Sequence, residues 1–264
     1  MFDLTAAWQR EAARLAPTSL TLEAMDWSRP PDPARSWVPE KLTPLAGCTG
    51  YTALTPAQRL AYNQAYACQL LEEFIWIESR LVLAPLDRLK ADDHARPVLA
   101  SFRSDEEHHI ACFKQLRALA GAARENYFRP PILINALARL AAFTPHTFTF
   151  WIVALVAFED YAIDVAKLYR ADDSLEPLFR NVFIAHARDE ARHCRFDTLL
   201  ESWLGVNPFN AHLHAAFKGA YYATSWGLDG PVMALARRFQ ELASRARDLH
   251  AEAHAARADA GHLS

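Results

Sequence analysis

The sequence contains few of the features that mark secreted, disulfide-linked or nucleic-acid-binding proteins. Only four cysteines occur in 264 residues, and no two of them form a C-x-x-C pair. This argues against a disulfide framework and a thiolate metal site, and it indicates a reducing compartment, the cytoplasm. The formal net charge of −3 offers no basic surface for nucleic acid or an anionic membrane. Totals of 8 glycines and 15 prolines exclude collagen-like and low-complexity classes.

Long apolar runs are also scarce. The segment 1–16 contains several charged side chains and therefore lacks the uninterrupted apolar core of a signal peptide. The stretch from Leu140 to Phe158 has no formal charge, but it contains Pro145 and His146 and runs directly into Glu159. We therefore predict that this stretch forms a buried helix and that the protein has no membrane span.

Most of the remaining sequence is typical of helix, and strand-period alternation does not stand out. A proline-containing arm comes first, followed by apolar residues at helical spacing. The predicted helices cover about 60–83, the segment from Asp92–Asp93 to Gly121, about 146–170, the segment from Asp172–Ser174 to Gly205, about 210–226 and about 231–258. The pair Pro130–Pro131 opens a predicted connecting segment.

These elements predict an all-α protein, a ferritin-like four-helix bundle with additional N- and C-terminal helices. We expect a single domain over residues 1–264. Its parts are an N-terminal arm over 1–56, a metal-binding bundle over 57–205 and C-terminal helices over 206–264.

Two copies of the frame Asp-Glu-x-x-His indicate the chemistry. Among 15 glutamates, only Glu106 and Glu190 have a histidine three positions later, at His109 and His193. On a helix, this spacing places a carboxylate and an imidazole one turn apart on one face, where they can bind a single metal ion. Di-iron carboxylate bundles use two such pairs together with one glutamate from each of the two other helices.

The two remaining glutamates must come from the other long helices. Glu159 is the candidate on the third helix, because apolar residues one turn away on both sides direct its carboxylate to the core. On the first helix we choose Glu78, whose corresponding neighbours are all apolar, and keep Glu72 as the alternative. A buried carboxylate without a partner costs several kcal/mol, and a metal ion removes that cost.

A third imidazole is predicted at the same place. His186 lies four residues before Glu190 and therefore shares one helix face with Glu190 and His193. The resulting set of oxygen and nitrogen donors, without sulfur, suits iron or manganese. We further expect Asp105 and Asp189 to accept hydrogen bonds from the ligand histidines.

These residues resemble the p-aminobenzoate N-oxygenase family of di-iron arylamine oxygenases. The resemblance runs from about Glu72 to His193, and its most specific part is His-Ala-Arg-Asp-Glu-Ala-Arg-His at 186–193. It implies two iron ions, O2 as co-substrate, a homodimer and the ligands Glu78, Glu106, His109, Glu159, His186, Glu190 and His193. It also implies transfer of an oxygen atom to the nitrogen of an amine, free or carrier-bound, in a biosynthetic pathway. Because no flavin- or ferredoxin-like segment stands out, an external donor supplies the electrons.

Three other functions are compatible with the same residues. The nearest is a di-iron hydroxylase, desaturase or oxidase that acts on carbon, since such enzymes share the Asp-Glu-x-Arg-His motif. A ferritin-like iron-handling protein is the second, and a metal-free helical interaction module is the third. The arm and the C-terminal helices match no substrate-binding part of the family, so the identity of the substrate does not follow from the resemblance.

Overall fold

The fold is built from helices. The computed structural model describes residues 3–121, 127–130, 132–146, 150–205 and 229–261. Its main helices are α1 (Leu4–Ala12), α2 (Pro56–Ile77), α3 (Arg96–Leu119), α4 (Ile132–Phe143), α5 (Phe150–Arg170), α6 (Pro177–Trp203), α7 (Asp229–Arg238) and α8 (Ala246–Gly261). Shorter helical turns cover Glu40–Leu42, Thr49–Thr52, Ala84–Leu86 and Gln240–Leu242, and a π-helical segment covers Glu78–Leu83. These ranges contain no strand, which confirms the predicted all-α class.

The four predicted long helices correspond to α2, α3, α5 and α6. Helices α5 and α6 form the most extensive pair, while α3 packs against both α2 and α6. Helix α1 lies on α3 and α6, α4 lies on the π-helical segment, and α7 lies on α2. The architecture is the expected ferritin-like bundle with additional helices around it.

Helix α2 has a well-defined start and an irregular end. The Thr55 hydroxyl accepts a hydrogen bond from the Gln58 N–H at 3.3 Å, and the Gln58 side chain accepts one from the Thr55 N–H at 2.9 Å. Pro56 occupies the first helical position, where no donor is needed. The predicted α-helix to Leu83 is wrong in its last turns, because the chain widens into the π-helical segment at Glu78.

Other boundaries differ from the predictions because local capping decides them. Helix α6 begins at Pro177, and the side chain of Glu176, rather than Asp172–Ser174, accepts the cap hydrogen bond from the Phe179 N–H at 2.9 Å. The segment after Pro130–Pro131 was predicted to be a connection but contains α4, and α5 begins at Phe150 instead of position 146. The predicted helix over 231–258 is divided into α7 and α8. The predicted helix over 210–226 lies outside the described residues.

Two apolar clusters occupy the interior of the bundle. In the first, the Phe74 ring lies 5.5 Å from Phe113, 4.9 Å from Phe158 and 5.5 Å from Phe183, so that side chains of all four long helices meet. The second cluster is centred on Trp8, Phe102 and Phe196, which join α1 to α3 and α6. A layer of buried polar side chains borders both clusters.

The stretch from Leu140 to Phe158 divides between the end of α4 and the start of α5. Within the described ranges, none of the helices has the length and apolar character that crossing a bilayer requires.

Asn63 attaches the N-terminal arm to the bundle and gives a test of this packing. Its buried side chain accepts hydrogen bonds from the N–H groups of Trp37 and Val38 at 2.8 and 3.2 Å, and it donates to the Val38 carbonyl at 2.7 Å. We expect Asn63→Ala to lower the free energy of unfolding by about 2–3 kcal/mol, because buried backbone groups lose their partners. Urea denaturation measures the change.

The adjacent Gln64 provides the matched control. It also binds the arm: its side-chain amide donates to the Pro33 carbonyl at 2.8 Å, where the contact is exposed to water, and to the Arg35 carbonyl at 3.2 Å, where it is only partly buried. Gln64→Ala should therefore change the free energy by less than about 0.5 kcal/mol. Equal losses in the two variants would contradict the role assigned to Asn63.

Candidate metal centre

The seven side chains predicted as ligands lie together in the interior of the bundle. None of them is more than 1% exposed. Helix α3 contributes Glu106 and His109, α5 contributes Glu159, α6 contributes His186, Glu190 and His193, and the π-helical segment contributes Glu78. Four chain segments therefore direct three imidazoles and four carboxylates into one region from which water is excluded.

The donor atoms form two groups that share one residue. Glu78, His109, His186 and Glu190 each place a donor atom within 4.8 Å of the others, and so do Glu106, Glu190 and His193. Glu190 belongs to both groups through its two oxygens. Its Oε1 lies 2.6 Å from His186 Nε2 and 3.5 Å from His109 Nδ1, and its Oε2 lies 3.4 Å from His193 Nδ1. The two groups could each hold a metal ion, to which Glu190 would contribute one of its oxygens.

The two Glu-x-x-His motifs distribute their donors differently between the two groups. Glu106 Oε1 lies 3.1 Å from His193 Nδ1 on the opposite helix but 3.7 Å from His109 Nδ1 on its own helix. His109 in turn groups with Glu190 of α6. The first motif therefore divides its carboxylate and its imidazole between the two donor groups, whereas Glu190 and His193 of the second motif share one group.

The arrangement of the donor atoms is more typical of metal coordination than of hydrogen bonding between the side chains. Ions with bonds of about 2.0–2.2 Å to nitrogen and oxygen separate neighbouring donors by roughly 3 Å. The shorter separations between a histidine nitrogen and a carboxylate oxygen within the two groups run from 2.6 to 3.5 Å, and all donor atoms of a group lie within 4.8 Å of one another. Nevertheless both oxygens of Glu78 and the Nδ1 atoms of His109 and His193 have no well-directed hydrogen bond among the described residues. Donor atoms that lie this close together without forming hydrogen bonds to one another are arranged as the ligands of a shared metal ion would be.

The structure places Glu78, and not the alternative Glu72, in a donor group. Glu78 is its first residue, and the wider turns there reposition the side chains that follow α2. Glu72 instead faces the end of α3, where its carboxylate accepts from Arg117 Nε at 2.8 Å and from the N–H groups of Tyr127 and Phe128 at 2.8 and 2.7 Å. Glu72 therefore links chain segments and lies outside the donor groups.

A layer of charged side chains supports the histidines from behind. Asp105 Oδ2 lies 3.1 Å from His193 Nε2, and Asp189 Oδ2 lies 3.1 Å from His109 Nε2. Arg192 joins the two aspartates, at 2.8 Å from Asp105 and 3.0 Å from Asp189. A carboxylate only accepts hydrogen bonds, so each Nε2 carries the proton. When the imidazole is neutral, the lone pair of each Nδ1 then faces the donor groups.

Comparison with known proteins agrees with this geometry. The model of the family described as p-aminobenzoate N-oxygenase AurF matches residues 3–261. The chain belongs to the p-aminobenzoate N-oxygenase family. The family match covers nearly the whole chain, including the arm and the C-terminal helices, and it identifies the protein as an oxygenase. A search of curated proteins found no match.

Glu159 has a companion that sequence reasoning missed. In this member of the p-aminobenzoate N-oxygenase family, Glu159 Oε1 lies 4.0 Å from His193 Nδ1, outside both donor groups. Asp197, one turn after His193, is 1% exposed, and its carboxyl group shares a hydrogen bond with that of Glu159. Burial raises the pKa of Asp197 to about 8, and burial together with the Asp197 charge raises the pKa of Glu159 well above its usual range.

The missed residues differ in the signal they left in the sequence. Asp197 continues the helix face of His186, Glu190 and His193, so its spacing could have identified it. Arg192 is also adjacent to a ligand. Thr18, by contrast, donates to Asp105 at 2.5 Å across 87 positions of the chain, and no local pattern predicts such a contact.

Charge in the metal-free site is balanced by protons on imidazoles. Burial by itself would lower the pKa of His186, but the charges of Glu190 and Glu78 and the hydrogen bonds to them together overcome it and raise this pKa to about 10. Burial also opposes protonation of His193, but the Glu190 charge and the hydrogen bonds to Asp105, Glu106 and Glu190 together leave its pKa well above the usual value. Burial would raise the pKa of Glu190, but the two imidazolium charges hold it well below its usual range. The site therefore retains protons where metal ions would place positive charge.

Replacing each glutamate by glutamine distinguishes the roles of Glu72 and Glu78. Glu72→Gln should lower the free energy of unfolding by about 1–2 kcal/mol, because the charged hydrogen bonds to Arg117 weaken. It should leave the metal content unchanged. Glu78→Gln should lower the metal content without destabilising the metal-free protein, because it replaces a buried acid by a neutral group. Elemental analysis and thermal unfolding of both variants measure these effects. Loss of metal from Glu72→Gln alone would reverse the assignment.

The affinity of the site for metal ions should depend on pH. Because His186 and His193 hold protons near neutral pH, and a metal ion requires the neutral imidazole, metal uptake should release protons. The affinity for Co²⁺, used as a redox-stable probe, should rise by at least about tenfold between roughly pH 6 and pH 8. Indicator-dye titration in weak buffer measures the protons released. An affinity that is constant over this range would contradict the proton balance described above.

Proposed function

We propose that the protein is a non-haem di-iron oxygenase that uses O2 to oxygenate the nitrogen of a small amine. One observation carries the proposal: two groups of buried donors share the carboxylate of Glu190. A bridging carboxylate between two groups of nitrogen and oxygen donors is the arrangement of di-iron carboxylate bundles. Membership of the p-aminobenzoate N-oxygenase family supports the direction of the chemistry toward nitrogen.

The residues proposed to hold the ions are drawn from both groups and from α5. They are Glu78, Glu106, His109, Glu159, His186, Glu190 and His193. The donor set contains no sulfur, which favours iron and leaves manganese as the nearest substitute. When bound, two iron ions supply the redox chemistry that activates O2 for oxygen transfer.

The protein's own contributions are charge balance, orientation and exclusion of water. The four glutamates match the charge of two divalent ions. The His186 ring lies 5.3 Å from Phe74 and 5.0 Å from Phe113, and the His193 ring lies 4.3 Å from Phe102. These aromatic contacts keep the imidazoles dry and restrict their rotation, which keeps their lone pairs directed at one point.

The overall reaction requires electrons as well as O2. Conversion of an amine to a hydroxylamine places one oxygen atom on nitrogen and releases the other as water, which consumes two electrons and two protons. We propose that an external donor supplies the electrons, and that the substrate is an aromatic amine of the aminobenzoate type, free or carrier-bound. We further propose that residues 1–264 act as one domain, because α1 and the arm pack directly on the helices of the site, and that the chain forms a homodimer.

The test is direct product analysis. Protein loaded anaerobically with two equivalents of Fe²⁺ is mixed with a chemical reductant, isotopically labelled O2 and either p-aminobenzoate or an alkyl amine. Mass spectrometry should find one labelled oxygen atom on nitrogen. Labelled oxygen only on carbon would favour the hydroxylase alternative. Consumption of O2 with iron mineral formation and an unchanged amine would favour iron handling.

Glu190→Ala is the variant that tests the site. Because both donor groups lose a shared ligand, iron content should fall below about a tenth of the wild-type value, and product formation should fall with it. Glu107→Ala is the matched control, since Glu107 is exposed and contacts Arg103 at 3.0 Å. Unchanged iron in Glu190→Ala would overturn the ligand assignment.

A further inference from the structure

We propose that the N-terminal arm is part of the metal centre: Ser19 and Leu20 act on His109 through Asp189, and Thr18 is a positioning residue for His193 through Asp105. The inference rests on the proposed function, because it assumes that metal ions bind between the histidines. It assigns to segment Thr18–Leu20 a role in retaining those ions.

Asp189 accepts hydrogen bonds from the backbone of the arm in addition to the one from Arg192 at 3.0 Å. The Ser19 N–H donates to both carboxylate oxygens at 2.9 Å, and the Leu20 N–H donates to Oδ2 at 3.0 Å. The same Oδ2 accepts from His109 Nε2 at 3.1 Å. The plane of this carboxylate, and with it the direction of the imidazole, is therefore fixed by backbone that is distant in sequence.

Asp105 is held in the same way from its other oxygen. The Thr18 hydroxyl donates to Oδ1 at 2.5 Å, while Oδ2 accepts from His193 Nε2 at 3.1 Å and from Arg192 at 2.8 Å. Hydrogen bonding to these partners offsets the effect of burial and leaves the pKa of Asp105 below its usual value. Three consecutive residues of the arm thus contact both aspartates.

The arm is fixed on both sides of segment Thr18–Leu20, so its contacts with the aspartates are made by well-anchored backbone. Leu20 is completely buried in the first apolar cluster. On the other side, α1 is held on α6 by Trp8, which is 1% exposed, and by the ion pair between Glu11 and Arg195 at 3.3 Å. Pro17 restricts the backbone immediately before Thr18. The donors are therefore presented in a fixed position.

The effect on metal ions follows from the chain of hydrogen bonds. Losing the Thr18 hydroxyl leaves Asp105 Oδ1 without its donor and allows the carboxylate to rotate away from His193. An imidazole whose ring is less firmly oriented binds a metal ion less tightly and releases it faster. Outer partners of metal-binding histidines typically change metal affinity by about 10- to 100-fold.

Thr18→Val tests the inference, because it removes the hydroxyl and preserves the shape of the side chain. Thr18→Ser restores the donor. Thr21→Val is the matched control: it is the same substitution in the same arm, at a hydroxyl that only accepts from the Ala24 N–H at 3.2 Å. Each protein is loaded with Co²⁺ at neutral pH, and release to excess chelator is followed through the visible spectrum of bound cobalt. Thermal unfolding of the metal-free proteins is measured in parallel.

We expect Thr18→Val to release cobalt about tenfold faster than wild type and to shift the cobalt spectrum, because the His193 ring changes direction. Thr18→Ser and Thr21→Val should match wild type in both readouts. Release from Thr18→Val at the wild-type rate with an unchanged spectrum would overturn the inference, whatever its thermal stability. Equally fast release from Thr21→Val would overturn it as well, since the effect would then belong to the arm as packing. If wild-type protein binds no cobalt, the proposed function fails first.

Discussion

The buried carboxylate of Glu190, shared between His186, His109 and His193, is the interaction on which the rest of the structure depends. An isolated ionised carboxylate in a water-free interior costs several kcal/mol, so it persists only with positive charge around it. The surrounding groups meet this condition twice. Imidazoles with raised pKa values provide the charge without metal, and the convergence of the donors allows ions to replace those protons. Metal binding and folding therefore stabilise the same arrangement.

The apolar clusters follow from this constraint, because a polar layer can be kept dry only between well-packed surfaces. The cluster around Phe74 closes one side of the donor groups, and the cluster around Phe102 closes the other. Both contact imidazole rings directly. The close packing of α5 with α6 brings Glu159 beside Asp197 and His193. The same contacts therefore pack the core and orient the side chains of the donor groups.

Features that repeat within one helix could be predicted from the sequence, and features that join distant segments could not. The face containing His186, Glu190 and His193 follows from helical spacing alone. The crossed contacts, in which Asp105 serves His193 and Asp189 serves His109, depend on how α3 and α6 are aligned. The π-helical segment was predicted as ordinary α-helix because its wider backbone hydrogen bonding leaves no signal in residue type, and α4 was missed because Pro130–Pro131 is typical of a connection. The arm donors have no local signal, since their partners are far along the chain.

The charges of Asp105 and Asp189, outside the donor groups, account for the position of the N-terminal arm beside these two aspartates. Two divalent ions match the four glutamates, but Asp105 and Asp189 add two further buried charges, and Arg192 can neutralise only one of them. A second cation at this position would compete with the metal ions for the same carboxylates. Neutral N–H and O–H dipoles stabilise the remaining charge without competing for ligands. Backbone donors at Ser19 and Leu20 meet this requirement, and burial of the Leu20 side chain fixes them at the aspartate.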